Sequence, residues 1–169
     1  MWNWIKNIFQ KKEEPEMIYD PFYLIRKWES FRAKAYKCPV GKWTVGYGST
    51  YYPDGTLVKE GDTITQQEAN NLLAWYCTTQ IKLPKGTFNP KQKMALYSLI
   101  YNIGQGAFNR SKCKSAIEKE DWLTAYNNWT WIKANGKILK GLVNRRNDEK
   151  ALFFEGLIDT AKLSQANDK

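Results

Sequence analysis

The residues best able to do chemistry lie in one stretch, WESFRAKAYKCPVGKWTVGYGST, which carries Glu29, Cys38 and Thr44. Trp28 and Phe31 flank Glu29, and aromatic cover would desolvate its carboxyl and favour the protonated form that a general acid needs. A carboxylate on an aromatic helix also suits an ordinary solvated face, so the residue alone does not decide. The chain has no histidine. That excludes Ser-His-Asp and Cys-His machinery and leaves carboxylates, Lys, Tyr, Cys or hydroxyls to carry any reaction. Cys38, Cys77 and Cys113 are odd in number and widely spaced, which suggests neither a disulfide framework nor a zinc site. No metal and no cofactor is expected.

These residues must be held by elements that the sequence also marks. Asp20 and Pro21 read as an N-cap with proline at the first helical position. Tyr23, Leu24, Trp28 and Phe31 then recur at helical spacing, so a helix over residues 21–33 is expected, with Glu29 inside it. From residue 35 to 62 the glycines, Pro53 and short apolar runs predict a small antiparallel sheet, with Asp54-Gly55 as a hairpin turn. Cys38 falls in the loop before it and Thr44 on its first strand. Thr65 and Glu68 form a capping box for a helix reaching residue 81. Asn89-Pro90 opens another, which Gly104 closes. Residues 106–133 carry two or three shorter helical patterns, and residues 142–155 a last helix stopped by Gly156. The whole is an α+β architecture, a small sheet lobe and a larger helical lobe with a cleft between them.

The length of 169 residues suits one domain, placed at residues 18–169. Before it, residues 1–17 comprise an amphipathic stub, MWNWIKNIFQ, and a charged linker. The stub is too short and polar to span a bilayer and lacks the features of a signal peptide. A peripheral membrane contact and a helix packing on its own domain both fit it. With 26 Lys plus Arg against 17 Asp plus Glu, the net charge of +9 favours polyanionic partners. The basic residues are scattered, so no nucleic-acid partner is expected. A monomer made in a reducing cytoplasm is the expectation.

The spacing Glu-x8-Cys-x5-Thr followed by V-G-Y-G-S-T resembles the catalytic signature of the phage-type lysozyme family, whose middle position is Asp or, in some members, Cys. TITQQEANNLL, ALYSLIYNIGQGAFNRSK and GLVNRRNDEKALF resemble three later family segments in the same order, so the resemblance covers about residues 20–156. It implies a lysozyme-like fold and hydrolysis of the β-1,4 bond between N-acetylmuramic acid and N-acetylglucosamine in peptidoglycan. Glu29 would protonate the leaving oxygen, Thr44 would hold the attacking water, and Cys38 would fill the position of the second catalytic group. Family members are thought to invert the anomeric centre. Cys38 serves either as a thiolate favoured by Lys37 and Lys42 or as simple packing.

Gly46 and Gly48 suit the hairpin backbone or close approach of a sugar, and Tyr47 is expected to line the cleft. Asn102 offers an amide to an N-acetyl group or caps its own helix. Of the adjacent Arg145 and Arg146, at most one is expected in the cleft, with the other solvated. The resemblance implies an endolysin that reaches the wall after another protein opens the membrane. A virion-borne lysozyme and an inactive glycan-binding module are the alternatives.

Overall fold

A computed structural model describes residues 19–155 and 157. The stub, the linker and the expected Gly156 stop lie outside the described residues.

The first helix, α1 (Tyr23–Trp28), is shorter than its periodicity suggests. It starts two residues later than expected, with Phe22 and not Asp20 as the N-cap and no side-chain cap. Asp20 accepts from the Phe22 amide at 3.0 Å just ahead of it, and buried Leu24 and Ile25 face the core. It ends because Glu29 turns extended, at φ −101° and ψ 115°, so Glu29 is the C-cap and not an interior helical residue. Phe31 fits the helical spacing, yet its ring packs 5.7 Å from Tyr47, and this tertiary contact wins. Strand β1 (Arg32–Lys37) follows, paired antiparallel with β2 (Trp43–Gly46). The sheet therefore starts three residues earlier than expected, and Thr44 lies on its second strand, opposite Tyr36. A bulge between Arg32 and Tyr36 bends the hairpin. The Asp54-Gly55 turn forms as expected, closed by a bridge between Tyr51 and Leu57.

Helix α2 (Gln66–Thr79) begins at the expected capping box, in which the Glu68 amide donates to Thr65 Oγ1 at 3.2 Å and Glu68 Oε2 accepts from the Thr65 amide at 2.8 Å. Helix α3 (Pro90–Ile103) begins at a second box, between Asn89 and Gln92, and ends at Gly104 with φ +83°. Three short helices follow, α4 (Gln105–Asn109), α5 (Lys112–Ile117) and α6 (Trp122–Asn127). A hairpin of β3 (Lys133–Ala134) and β4 (Lys137–Ile138) was not expected. Its signal is Asn135-Gly136, the residue pair most suited to a two-residue turn, with φ of +50° and +77°. Helix α7 (Lys140–Phe153) starts two residues before its expected position and packs along α3.

The core joins Val45 and Tyr47 of the sheet lobe to Leu73, Leu96, Leu99, Phe108, Trp129 and Phe153 of the helical lobe. Gly46 is the close contact in that joint. A Cβ there would lie 3.1 Å from Ala69 Cβ of α2, and the backbone φ is +65°. Only glycine meets both conditions without strain.

Candidate active site

Glu29 leaves α1 with its side chain 29% exposed, so the carboxyl faces both protein and solvent. Its Oε1 accepts from Arg145 Nη1 at 2.6 Å. Among the described residues, Oε2 has no hydrogen-bond partner. Trp28 turns elsewhere, its Nε1 donating to Asp148 Oδ2 at 3.1 Å, and Asp148 also accepts from Lys27 Nζ at 2.7 Å. The immediate neighbour of the acid is thus a guanidinium, not an aromatic ring.

That guanidinium is itself held from behind. Arg145 is 3% exposed; its Nη2 donates to the Ser98 carbonyl at 3.0 Å, and its Nε lies 3.2 Å from Ser98 Oγ and 3.3 Å from Glu149 Oε1. Arg146 is 1% exposed, contrary to the expectation that one arginine is solvated. Its Nη2 donates to Glu149 Oε1 at 2.7 Å, and its Nη1 reaches Asn102 Oδ1 at 3.0 Å and the Trp131 carbonyl at 3.3 Å. Adjacent residues on a helix do point about 100° apart. Here both directions are covered, one by α3 and the other by the Trp129–Trp131 segment. Burial lowers the Arg146 pKa and the Glu149 charge opposes that shift.

Among the described residues, Asn102 makes no side-chain bond to its own helix; its amide oxygen is taken by Arg146, and its amide nitrogen remains to be offered to a ligand. The Tyr47 side chain is 4% exposed and sits in the core, not along the cleft, while its carbonyl accepts from the Tyr101 hydroxyl at 3.0 Å. Burial, and then the Glu29 charge, push the Tyr101 hydroxyl pKa up, which keeps it a neutral donor.

Cys38 and Thr44 come together in the sheet lobe. The Cys38 amide donates to the Lys42 carbonyl at 2.9 Å, the Gly41 amide donates to the Cys38 carbonyl at 2.8 Å, and Thr44 Oγ1 donates to the Lys42 carbonyl at 3.1 Å. Desolvation works against the Cys38 thiolate, but hydrogen bonds from the Val40 and Lys42 backbone and from the Thr44 side chain outweigh it and lower the thiol pKa. Hydrogen bonds from the loop backbone and Thr44, not the Lys37 and Lys42 ammonium groups, supply the shift. Beside Tyr101, a pocket of about 140 Å³ is lined by Gly48, Ser49, Thr50, Tyr51 and Tyr76, a hydroxyl-rich wall suited to a sugar. A larger apolar cavity of about 440 Å³, between Tyr52, Ile64, Leu72 and Trp75, includes none of the candidate residues.

Ser98, Tyr101, Trp129 and Glu149 are parts of the site that sequence reasoning left without a role. The available signal was Glu149 standing four and three residues after Arg145 and Arg146, the spacing of helical ion pairs.

The family model described as phage lysozyme matches residues 26–149. The chain is 38% identical over 142 residues to the Endolysin of Acyrthosiphon pisum secondary endosymbiont phage 1, covering 77% of this chain and 92% of that protein. It is 36% identical over 140 residues to the Endolysin of Bacillus phage PZA, covering 79% of this chain and 53% of that longer protein. Among solved structures, the endolysin from Escherichia coli O157:H7 phage FAHEc1 superposes with a TM-score of 0.68 at 25% identity, covering 85% of this chain and 97% of that one.

Proposed function

The chain belongs to the phage lysozyme family, and from that premise we propose that it is an endolysin hydrolysing the β-1,4 bond between N-acetylmuramic acid and N-acetylglucosamine during lysis of a phage's host, with Glu29 as the general acid. The observation that carries the assignment of the acid is the 2.6 Å contact between the part-exposed Glu29 carboxyl and a buried guanidinium. Arg145 fixes Oε1, which leaves Oε2 to carry the proton and give it to the glycosidic oxygen. Cys38 and Thr44, linked in one hydrogen-bonded loop, hold and activate water from the opposite side. In that step the water oxygen bonds to the anomeric carbon as the glycosidic bond breaks. Its proton passes to the Cys38 thiolate, the Glu29 proton passes to the leaving oxygen, and the anomeric centre inverts. The wall of Gly48, Ser49 and Thr50 borders the sugar, whereas Gly46, Tyr47, Asn102, Arg145 and Arg146 shape and support the site from behind. Synthesis takes place in the host cytoplasm, and the wall is reached once the membrane is breached.

The test is clearance of purified peptidoglycan followed by mass analysis of the fragments. Reducing ends on muramic acid are expected. Anhydro ends would reassign the reaction to a transglycosylase, and binding without cleavage would reduce the protein to a glycan-binding module.

A further inference from the structure

A fully buried carboxylate is costly unless its lone pairs and charge are answered, and Glu149 is 0% exposed. Both its oxygens are answered. Oε1 accepts from Ser98 Oγ at 2.7 Å, from Arg146 Nη2 at 2.7 Å and from Arg145 Nε at 3.3 Å. Oε2 accepts from Trp129 Nε1 at 3.0 Å, and Arg146 Nε lies 2.7 Å away as a charge contact outside hydrogen-bond alignment. Ser98 of α3, both arginines of α7 and Trp129 thus converge on one anion that lies one residue behind the acid, since Arg145 touches Glu149 and Glu29 at once.

The arrangement does two things for Glu29. Ser98 and Glu149 occupy Arg145 Nε, and the Ser98 carbonyl occupies Nη2, so only Nη1 is directed at the acid. The guanidinium plane is thereby fixed. The second effect is electrostatic: Arg146 as well as Arg145 lies within reach of the Glu29 charge. Two cations facing one catalytic carboxyl would hold it ionised, and an ionised carboxyl cannot protonate a leaving group. Glu149 cancels one of them. The remaining groups around the acid do not duplicate this role. Tyr101 from α3 is a neutral donor, Asp148 of α7 is paired with Lys27 of α1, and Cys38 belongs to the loop of the sheet lobe.

We infer that Glu149 is a positioning residue for the general acid, aiming Arg145 at Glu29 Oε1 and balancing the charge of the arginine pair beside it. The inference rests on the proposed assignment of Glu29. It predicts pH profiles with opposite signs in two variants, which a merely structural role would not produce.

The experiment measures kcat against pH on purified peptidoglycan for the parent, Glu149→Gln, Arg146→Gln and Glu29→Gln. Glu149→Gln leaves an excess of positive charge, so its alkaline limb should move to lower pH by about 0.5 to 1.5 units. Arg146→Gln removes a cation, so its limb should move to higher pH. If the first variant fails to fold, the second still carries the test, and a limb that does not move in the folded variants overturns the inference. Failure of both to fold would make the cluster structural and overturn it as well. A Glu29→Gln variant with full activity would instead remove the assignment of the acid, an outcome distinct from an unmoved limb.

Discussion

Replacing the Glu29 carboxyl with an amide keeps an oxygen for Arg145 Nη1 and removes only the ability to hand over a proton. Glu29→Gln is therefore expected to fold normally and to lose about a hundredfold to ten-thousandfold in kcat. Activity above a tenth of the parent's in a wall-clearance assay would mean that another group is the acid. Cys38 makes a different prediction, because its amide-rich loop lowers the thiol pKa from the ordinary value of 9.0 despite the opposing desolvation. If the thiolate works, parent activity rises with pH through a midpoint below that value. Cys38→Asp should keep activity without that rise, whereas Cys38→Ser should lose about tenfold or more. Equal rates for Ser and parent at every pH would reduce Cys38 to packing.

Gly46 shows how the joint between sheet and helix depends on a missing side chain. Gly46→Ala must place a methyl 3.1 Å from Ala69 Cβ and hold alanine at φ +65°, a combined cost of about 1 to 3 kcal/mol. Thermal unfolding should detect it, and an unchanged Tm would show that β2 can move away from α2 freely. The elements that the sequence disclosed best were those with local signals. Thr65 with Glu68, Asn89 with Pro90, and Gly104 act within a few residues of themselves and stand where expected. The end of α1 was not legible, since Phe31 keeps the helical period and leaves it only for Tyr47, distant in sequence. The same holds at the site. The spacing of Glu29, Cys38 and Thr44 marks them as candidates, but the burial of Arg146 and Glu149 depends on α3 and the Trp129–Trp131 segment closing around α7. No local pattern reports such closure. Asn135-Gly136 is different, a local turn signal that stands in the sequence and forms the second hairpin.

At the scale of the molecule, two properties belong to no single element. Cys77 and Cys113 are both pushed up to about 12 by burial. Below the ordinary thiol value of 9.0 both the folded and unfolded chains keep these protons; above it the unfolded chain releases them first. Stability should therefore fall as pH rises from about 9 toward 12, and the Cys77→Ala, Cys113→Ala variant should show a shallower fall of Tm over that range. The second property is the net charge of +9. Like charge spread over a surface acts through its long-range field, which draws the protein toward an anionic polymer before any specific contact forms. Salt shortens the reach of that field from about 30 Å at 0.01 M to about 8 Å at 0.15 M. In the proposed mechanism, bond cleavage depends instead on Glu29, held by a guanidinium that is 3% exposed and little screened. The rate on intact, acidic cell walls should thus fall several-fold across that salt range, while kcat on short uncharged N-acetylglucosamine oligomers stays nearly constant. The two substrates assayed side by side separate encounter from chemistry. A parallel decline on both would place the salt-sensitive charges inside the site and make the surface charge irrelevant to wall attack.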